Sequence, residues 1–522
     1  MNKIDKSELF DIEALRKQAS EISRRQSNDP GAEGSGNPAD MNDFARQIAE
    51  QFRDGTRSPT LVIGQLRLFE FFSLVAIGLA AFYLHYGPSA GSLLVRGPVA
   101  LGGAALAVLF LQIADTYLIP SLRMPLRTLH RIEAAWAASF VVVAIAVLIF
   151  FDSESSRLPM LASWFMASGF FLTVERILVG YGMRHWARNG TMERRAVIVG
   201  GGKPARDLIR ALEQQPENDI RICGIFDDRG EGRSPAVVAG YPKLGTAAEL
   251  VEFARLARID MLIISLPLSA EDRILQLLKK LWVLPVDIRI AAHANRLRFR
   301  PRAYSHVGAV PMLDVFHKPI RDWDSVAKRV FDIVFSIVAL CLLWPVMIGT
   351  AIAVKATSKG PVFFTQKRHG FNNEVINVIK FRSMYADRAD PTARDAVTKN
   401  DPRVTPVGRF IRKTSIDELP QLLNVLRGEL SLVGPRPHAV LAQTRNRAYS
   451  DIVEGYFARH RVKPGVTGWA QINGWRGEID NDEKIKFRTA YDLYYIENWS
   501  LLFDLKILLL TPYRLLNTEN AY

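Results

Sequence analysis

Four long apolar runs without a charged residue constrain the fold more than any other feature of the chain. They cover residues 71–95, 97–114, 134–151 and 158–174. Each is about long enough to cross a hydrocarbon core of about 30 Å as a helix. One such run alone fits a helix buried in a protein core, but four in close succession predict a membrane-spanning helical bundle over residues 61–190.

Arginines collect on one side of this predicted bundle. The loops on the other side carry only Arg96 and Arg157. Because cytoplasmic loops are enriched in Lys and Arg, the N-terminus and the chain after the fourth span are predicted to be cytoplasmic. The arginines that set this orientation are Arg53, Arg57, Arg67, Arg123, Arg127, Arg131, Arg184, Arg188, Arg194 and Arg195.

The overall charge is consistent with a membrane partner. Lys and Arg total 67 against 53 Asp and Glu, so the 522-residue chain carries a formal charge of +14. Such a chain usually binds nucleic acid or an anionic membrane, and the apolar runs favour the membrane. The two cysteines, Cys223 and Cys341, exclude a disulfide scaffold. Residues 1–60 are polar, with a Gly- and Pro-containing stretch at 29–40, and are predicted to be a disordered cytoplasmic segment without a signal peptide.

A fifth apolar run, at residues 333–354, is also long enough to cross, but its flanks differ. Basic residues border both ends, and Pro345 lies in its middle, where it removes a helical hydrogen bond. Positive charge at both ends fits a crossing poorly. We therefore predict a re-entrant membrane helix over residues 329–355 that is broken at Pro345 and returns to the same side. The alternative is a fifth crossing with a proline kink.

Residues 191–315 alternate between strand and helix patterns and predict a Rossmann-like α/β domain. A short apolar strand at 195–200 runs into Gly200, Gly202 and Ala205 in a G-x-G-x-x-A pattern, and a second strand ends at Asp227 and Asp228. Later helices are predicted at about 247–257 and 270–281, and strands at 261–265 and 286–291. A lone glycine fingerprint is a weak signal for a dinucleotide. The domain is therefore either nucleotide-binding or a regulatory domain without a catalytic cofactor, and we favour the latter.

The last third, residues 316–522, carries the chemistry. Residues 374–384 alternate like a strand, and four leucines between 419 and 426 have helical spacing with Gly428 as a stop. Pro420 fits the first turn of that helix, which puts Asp417 at or beside its N-cap. Taken alone, these residues have structural interpretations: Asp417 caps the helix, or Ser415 and Glu418 form a capping box.

The surroundings of Asp417 change this interpretation. A carboxylate at a positive helix end beside several arginines stays ionised at neutral pH, and the same field attracts phosphate. Asp417 and Glu418 are adjacent oxygen donors suited to Mg²⁺, and a carboxylate can act as a nucleophile. We therefore predict a diphosphate site. The basic residues near Asp417 are Arg403, Arg409, Arg412, Lys413 and Arg427, and a Gly-Pro turn at 434–435 presents Arg436.

From about residue 325 to residue 511 the chain resembles the monotopic phosphoglycosyl transferases, also called bacterial sugar transferases. The resemblance rests on the proline-containing apolar segment, KFRSM (380–384), the block 401–437 ending in SLVGPRP, and RVKPGVTGWAQING (461–474). Four spans and a Rossmann-like domain ahead of it resemble the long form of the family. The implied fold is an α-helical transmembrane bundle, an α/β Rossmann-like cytoplasmic domain, and an α+β monotopic catalytic domain with a re-entrant helix.

The resemblance also implies a reaction. Asp417 would attack the β-phosphorus of a UDP-sugar and release UMP, and undecaprenyl phosphate would then take the sugar phosphate from Asp417. Glu418 would complete the acidic pair and assist Mg²⁺ or proton handling. This sequence departs from the family pattern at Trp344, where Ser or Asn is usual, and at His438, where Glu is frequent. Residues matching family positions near phosphates are Arg412, Arg436, Lys380 and Arg382, and Pro345 matches the helix breaker.

The implied partners are a UDP-sugar, undecaprenyl phosphate and the lipid bilayer, with no nucleic acid, and we expect a homodimer. UDP-sugars are cytoplasmic, so both soluble domains are expected on the cytoplasmic side of the bacterial inner membrane, and the apolar stretch 498–516 is expected to lie in the interface. Glucose and galactose are the favoured sugars, N-acetylated sugars stay open, and exopolysaccharide or capsule is the expected product.

Two other functions were considered. A membrane-bound NAD-dependent nucleotide-sugar dehydratase would need a second dinucleotide fingerprint and a Tyr-x-x-x-Lys relay, and no tyrosine here has lysine four residues later. A non-catalytic membrane scaffold would not need the intact set of Asp417, Glu418, Arg412 and Arg436. Release of UMP from a UDP-sugar distinguishes the transferase from both.

Overall fold

The computed structural model forms two compact units. Residues 58–193 make up one, and residues 41–53 together with 194–516 make up the other. The residues that the structure describes are 41–53, 58–87, 90–150, 156–188, 193–214, 220–229, 235–267, 269–291, 305–307, 310–387, 401–439, 443–444, 447–453, 455–475, 477 and 481–516.

The first described helix, α1 (Asp43–Gln51), corrects the prediction that residues 1–60 are disordered. Asn42 caps it by accepting from the Ala45 amide at 2.8 Å, and the Asn42 side chain also donates to the Leu244 carbonyl at 2.7 Å. Ile48 and its neighbours on one face are buried. The segment has too few apolar residues for a core of its own, but its amphipathic face packs on the α/β domain. The stretch 29–40 lies outside the described residues.

The first unit is helical. Among the described residues it supplies four helices that are long and apolar enough to cross a membrane. The first begins about a dozen residues earlier than predicted and ends at Gly87, so the predicted run 71–95 is divided between two helices. The helices are α2 (Pro59–Tyr86), α3 (Ala90–Ile113), the short α4 (Ile119–Arg123), α5 (Pro125–Phe150) and α6 (Arg157–Arg188).

Charged residues inside this unit explain why the helices extend beyond the uncharged runs. Glu70 of α2 is fully buried and pairs with Arg176 of α6 at 2.7 Å. Tyr117 donates its hydroxyl to the same carboxylate, and Arg176 lies over the Tyr117 ring. Ionisable groups are tolerated within membrane helices when they pair with one another in the bundle interior. A search for uncharged runs therefore ends each helix too early.

An eight-stranded sheet forms the core of the α/β domain, in the order β3-β4-β2-β1-β5-β6-β8-β7. The five central strands, β4, β2, β1, β5 and β6, are parallel to one another. Strand β3 pairs antiparallel with β4 at one edge, and β8 and β7 follow β6 in antiparallel pairs at the other. The elements in chain order are β1 (Arg194–Val199), α7 (Lys203–Glu213), β2 (Ile220–Phe226), β3 (Val237–Val238), β4 (Tyr241–Gly245), α8 (Ala247–Leu256), β5 (Met261–Ile264), α9 (Glu271–Leu281), β6 (Asp287–Ala291), β7 (Ser305–Val307) and β8 (Val310–Phe316).

The predicted strands and helices of this domain lie within a residue or two of the observed ones. The strands that sequence patterns missed are β3, β4, β7 and β8, which are short or carry proline and polar residues. Their strand conformation depends on pairing with neighbours already in the sheet. The sequence therefore indicated the parallel centre of the sheet and missed its edges.

The remaining residues form a smaller α+β domain. Its core contains Val378, Leu422, Val433 and Tyr495. The elements are α10 (Asp322–Thr357), β9 (Phe363–His369), β10 (Val375–Phe381), α11 (Pro406–Lys413), α12 (Gln421–Arg427), β11 (Ser431–Val433), β12 (Gln443–Thr444), β13 (Arg447–Ala448), α13 (Tyr449–Ile452), β14 (Gly465–Thr467), α14 (Trp469–Ile472), α15 (Asp482–Glu497) and α16 (Leu501–Leu516), with 3₁₀ turns at Phe371–Asn373, Ile416–Glu418 and Tyr456–Arg461.

Helix α10 is the fifth helix with the length and composition of a membrane span. It is continuous through Pro345, so the predicted break does not interrupt the helix. Near its start, Lys328 pairs with Asp504 of α16 at 2.7 Å. Near its end, Val354 is buried against Phe381 of β10 and Ile411 of α11. Both ends of α10 thus pack on the same domain, while the apolar side chains between them are largely exposed.

Candidate active site

The acidic pair lies on a 3₁₀ turn between α11 and α12. The turn covers Ile416–Glu418 and follows Ser415, which has a left-handed backbone conformation with φ of 59°. Asp417 and Glu418 are each 9% exposed. Successive side chains of a 3₁₀ turn are rotated by about 120° because there are three residues per turn. The two carboxylates therefore face different surroundings although they are neighbours in sequence.

Glu418 is fully engaged by two cations. The Lys380 ammonium lies 2.8 Å from its Oε1. The Arg436 guanidinium donates from Nη1 to Oε2 at 3.0 Å and from Nη2 to Oε1 at 2.5 Å. Burial alone would raise the pKa of Glu418, but the positive charges and hydrogen bonds of Arg436 and Lys380 outweigh it and hold this pKa well below its usual value. Glu418 is thus a fixed anion.

Asp417 differs from its neighbour because its carboxylate has no hydrogen-bond or ion-pair partner among the described residues. Burial raises the pKa of Asp417 to about 6. The positive charge of Lys380 opposes this rise, and the negative charge of Glu418 adds to it. At neutral pH the group is mostly ionised, although its pKa lies above the usual value. An ionised carboxylate with unoccupied lone pairs is the form that can attack a phosphorus atom.

Lys380 is brought to Glu418 by the β9–β10 hairpin, where it pairs with Phe364 across the antiparallel ladder. The buried Asn424 of α12 joins this strand to the acidic segment: its Oδ1 accepts from the Ile379 amide at 3.0 Å, and its Nδ2 donates to the Asn377 carbonyl at 2.8 Å. Burial lowers the pKa of Lys380 to about 8, although Glu418 raises it. Sequence reasoning did not single out Asn424, which lies in the middle of a leucine-rich helix.

Arg436 is positioned by the parallel pair β11 and β14. The Gly434 amide donates to the Thr467 carbonyl at 2.9 Å, and the Gly465 amide donates to the Pro435 carbonyl at 2.9 Å. A Cβ on Gly465 would lie 2.1 Å from the Gly434 nitrogen, so only glycine permits this approach. The VGPRP and KPGVTG sequences therefore form one backbone crossing that aims Arg436 at Glu418.

The other predicted site residues fall into different places. Arg412 lies at the end of α11, half-buried, where its charge acts on Asp417. Arg382 is buried and turned toward the end of α10: it donates to the Lys359 carbonyl at 2.6 Å and to the Ser358 carbonyl at 2.8 Å. These contacts indicate that Arg382 anchors the chain after α10, and its predicted phosphate-binding role stays a prediction.

Both structural interpretations of the acidic pair are also corrected. Helix α12 begins after Pro420 without a side-chain cap hydrogen bond, so Asp417 is not its N-cap. Ser415 makes no side-chain cap hydrogen bond at the 3₁₀ turn, and Glu418 is bound by Lys380 and Arg436 instead of completing a capping box. Gly428 ends α12 in a left-handed conformation with φ of 86°, as predicted.

Three further arginines lie around Arg436 and were not predicted as site residues. Arg368 of β9 donates to the Pro437 carbonyl at 2.5 Å. Arg459 donates to the Arg436 carbonyl at 2.8 Å and to Asp492 at 2.5 Å. Arg488 of α15 is 3% exposed. They come from three separate segments, and no local spacing in the sequence indicates that they converge.

The donor set bears on the predicted Mg²⁺. Among the described residues, no group of three or more His, Cys, Asp or Glu side chains could hold a metal ion. Mg²⁺ needs only one or two carboxylates when substrate phosphates and water complete its shell. Asp417 offers unoccupied oxygens, and Glu418 lies beside it. The pair therefore fits an ion that is held jointly with a phosphate ligand.

The carboxyl edge of the α/β sheet is filled by the protein's own carboxylates. Asp227 accepts from the Gly201 amide at 2.7 Å and pairs with Arg229 at 2.8 Å. Asp228 accepts from the Ala247 amide at the start of α8 at 2.8 Å. These positions are where a dinucleotide phosphate and ribose would be expected to bind. The two acids thus serve structural contacts at this edge.

Comparison with known proteins places these features in context. A family model described as bacterial sugar transferase matches residues 323–518, and one described as CoA-binding domain matches residues 112–292. The chain is 34% identical over 467 residues to a UDP-glucose:undecaprenyl-phosphate glucose-1-phosphate transferase of Xanthomonas campestris pv. campestris, covering 88% of this chain and 94% of that protein.

Two other relatives extend the comparison. A protein of Escherichia coli K12 with the same description is 36% identical over 388 residues, which are 74% of this chain and 81% of that protein. A UDP-galactose-lipid carrier transferase of Erwinia amylovora is 29% identical over 402 residues, which are 73% of this chain and 80% of that protein. The resemblance found in the sequence is confirmed.

Proposed function

Because the chain belongs to the bacterial sugar transferase family, we propose that it transfers a hexose 1-phosphate from a UDP-hexose to undecaprenyl phosphate and releases UMP. Glucose or galactose is the sugar, in line with the descriptions of the relatives. The observation that carries this proposal is the difference between two adjacent acids, since Glu418 is clamped by Lys380 and Arg436 while Asp417 has no partner among the described residues. The reaction would start exopolysaccharide or capsule synthesis.

In the first proposed step, an Asp417 oxygen attacks the β-phosphorus of the UDP-hexose. The bond between this phosphorus and the oxygen bridging to the α-phosphate breaks, and UMP leaves with that oxygen. The product on the enzyme is an acyl phosphate that joins Asp417 to hexose 1-phosphate. The positive charges of Arg412 and Lys380 would stabilise the charge that develops on the phosphoryl oxygens.

In the second step, a phosphate oxygen of undecaprenyl phosphate attacks the same phosphorus. The bond to Asp417 breaks, and the free carboxylate is restored with undecaprenyl-diphosphate-hexose as the product. Glu418 keeps Lys380 and Arg436 in place throughout. Mg²⁺ would be held by Asp417 and substrate phosphate, with Glu418 beside it, and would supply further neutralisation of the diphosphate charge.

We propose that α10 enters and leaves the membrane on the cytoplasmic side. Its start packs on α16 and β11, and its end packs on β10 and α11, which all belong to one domain. A crossing helix would carry its two ends to opposite faces of a bilayer about 30 Å thick. Leu342 and Trp344, on either side of the midpoint of the apolar run 333–354, are 72% and 58% exposed and are suited to lipid contact.

We propose that the α/β domain has no dinucleotide cofactor. Asp227 and Asp228 occupy the amides at the starts of α7 and α8 that would otherwise hold phosphate or ribose. Arg229 and Arg273 each form an ion pair with Asp227. A regulatory or assembly role is therefore favoured for this domain.

The experiment that tests the reaction compares purified full-length wild-type protein with purified Asp417→Asn, using UDP-[¹⁴C]glucose or UDP-[¹⁴C]galactose without acceptor. The wild type is expected to release UMP and retain a labelled acyl phosphate, which peptide mass spectrometry would place on Asp417. Asp417→Asn is expected to release no UMP, and the exposed Glu483→Gln serves as a matched control with wild-type activity. An adduct on another residue, or wild-type UMP release by Asp417→Asn, would overturn the assignment.

A further inference from the structure

Cationic side chains outnumber carboxylates around the acidic pair. Five cations and three carboxylates in this region are buried and interact electrostatically with one another. Glu418 is shared by Lys380 and Arg436, and Asp492 is taken by Arg459 at 2.5 Å. The cations are Arg368, Lys380, Arg436, Arg459 and Arg488, and the carboxylates are Asp417, Glu418 and Asp492.

Two of these cations have no carboxylate partner among the described residues. Arg368 donates only to neutral oxygens, the Gln366 side chain at 2.7 Å and the Pro437 carbonyl at 2.5 Å. Arg488 is 3% exposed, and its Nε and Nη2 have no hydrogen-bond partner. Unpaired buried guanidinium nitrogens are costly because the water they lose is not replaced by another acceptor.

The nearby histidine does not supply a countercharge. The His438 ring contacts Arg459 Nη1 and the Tyr456 hydroxyl, each at 2.5 Å from Nδ1. Burial and the charge of Arg459 hold the pKa of His438 well below its usual value, so the ring is neutral. The excess positive charge therefore stays within the cluster.

Arg436 connects this excess to the active site. Its guanidinium is bound to Glu418, and Arg368 donates to the carbonyl of the next residue, Pro437. Arg459 donates both to the Arg436 carbonyl and to Asp492, which lies one helical turn after Arg488 on α15. The positive charge of Arg436 acts on Arg368 and Arg488 as well. A ligand that accepted hydrogen bonds from Arg368 and Arg488 would thus lie beside Arg436, which binds Glu418.

A phosphomonoester carries about −1.5 to −2 at neutral pH and three acceptor oxygens. This matches two guanidinium groups that have no carboxylate partner among the described residues, and Arg488 also has two nitrogens without a hydrogen-bond partner there.

We propose that Arg488 and Arg368, together with Arg436, form a binding subsite for a phosphomonoester dianion. This inference rests on the proposed function, in which two species carry that group: the acceptor undecaprenyl phosphate and the released UMP. Each phosphate of the UDP-hexose carries one ester bond, the shared anhydride oxygen and a single negative charge, so a subsite for a dianion discriminates between the diphosphate donor and the monoester ligands. Arg488 is the residue on which the discrimination depends most, because its Nε and Nη2 have no hydrogen-bond partner among the described residues.

The test uses the full-length protein in nanodiscs with Arg488→Gln and the matched Arg488→Lys, which keeps the charge. UMP and undecaprenyl phosphate are added separately, and the thermal unfolding midpoint and dissociation constant are measured for each. Losing a charge-assisted hydrogen bond is expected to weaken binding of at least one phosphomonoester by about 10- to 100-fold in Arg488→Gln. Arg488→Lys is expected to bind more tightly than Arg488→Gln and more weakly than the wild type, because it keeps the charge and loses the paired donors.

The pattern of losses identifies the ligand. A change for UMP alone assigns the subsite to the nucleotide product, a change for undecaprenyl phosphate alone assigns it to the acceptor, and a change for both assigns a shared subsite. A kinetic split is expected as well, with the KM of the affected substrate raised more than kcat is lowered. Wild-type affinity of Arg488→Gln for both probes would overturn the proposal.

A second pair of variants keeps the test decisive if Arg488→Gln fails to fold. His438→Glu places a carboxylate beside Arg459 and reduces the positive excess, while His438→Gln changes shape without charge. Phosphomonoester binding is expected to be weaker in His438→Glu than in His438→Gln, and equal affinity would contradict the subsite. If no UDP-hexose gives UMP release, the proposed reaction fails, but binding of UMP and undecaprenyl phosphate still decides the subsite.

Discussion

Arg436 makes a bidentate interaction with Glu418, donating from Nη1 to Oε2 at 3.0 Å and from Nη2 to Oε1 at 2.5 Å. A bidentate contact of this kind fixes both the position and the orientation of a carboxylate. It leaves Glu418 committed to a structural and electrostatic role and makes Asp417 the available acid of the pair. The division of labour between the two acids therefore depends on the planar shape of one guanidinium.

Replacing Arg436 by Lys is expected to lower kcat for UMP release by about 10- to 100-fold, because a lysine ammonium keeps the charge but cannot make two parallel hydrogen bonds. Turnover of radiolabelled UDP-glucose in membranes measures the effect. Arg427→Lys, at the exposed end of α12, is the matched control and is expected to retain wild-type activity. Unchanged kcat in Arg436→Lys would show that the bidentate contact has no part in catalysis.

Arg382→Gln is expected to lower stability and leave the KM for UDP-hexose unchanged. Its guanidinium makes hydrogen bonds to the Ser358 and Lys359 carbonyls, and losing them costs about 1–3 kcal/mol when the acceptors are left unsatisfied. The thermal midpoint of the purified protein and the KM of the surviving enzyme are the measurements. A raised KM at unchanged midpoint would restore the phosphate-binding role predicted from the sequence.

The two flanks of α10 are expected to be accessible from the same side of the membrane. With Cys223 and Cys341 replaced by Ala, Asp324→Cys and Lys359→Cys place single thiols at exposed positions before and after the apolar segment. A membrane-impermeant maleimide should label both thiols in inside-out vesicles and neither in intact spheroplasts. Labelling of one thiol from each side would mean that α10 crosses.

Gly455→Ala is expected to destabilise the contact between the α/β domain and the catalytic domain. Gly455 has φ of +73°, and an added Cβ would lie 1.9 Å from Cζ2 of Trp282, which follows α9. Backbone strain of about 1–2 kcal/mol is then joined by about 1–3 kcal/mol of overpacking. Gly474→Ala separates the two effects, because Gly474 has φ of +89° but open space around its Cα. Equal thermal midpoints for the two variants would contradict the packing argument.

Stability is expected to fall as the pH drops below about 6.5, the ordinary pKa of histidine. Burial, with the charges of Arg459, Arg488, Arg368 and His460, holds the pKa of His438 well below that value in the folded protein. Below pH 6.5 the unfolded chain binds a proton that the folded protein does not, so the slope is at most about 1.4 kcal/mol per pH unit for one histidine. Unfolding midpoints from pH 5 to 8 should show a shallower slope in His438→Gln, and an unchanged slope would exclude His438 as a source.

Much of the fold follows from local patterns. Apolar length determines the membrane helices, and the alternation of short apolar strands with amphipathic helices determines β1, β2, β5 and β6, because neighbouring residues decide these structures. The helix stop at Gly428 is local in the same sense. Local rules fail at Glu70 and Arg176, whose charges are stabilised by a partner on another helix, and at α1, whose apolar face needs a surface that other segments supply.

The sequence by itself determined that Asp417 and Glu418 lie just ahead of a leucine-rich helix among many basic residues. Only the tertiary structure decided which acid is clamped and which is open, since Lys380 and Arg436 lie 38 and 18 residues from Glu418. It also moved Arg382 away from the site and brought in Arg368 and Arg488. The physical reason is that a hydrogen-bonded ion pair forms only when its atoms lie within about 4 Å, and such distances between separate segments are set by the packing of the whole domain.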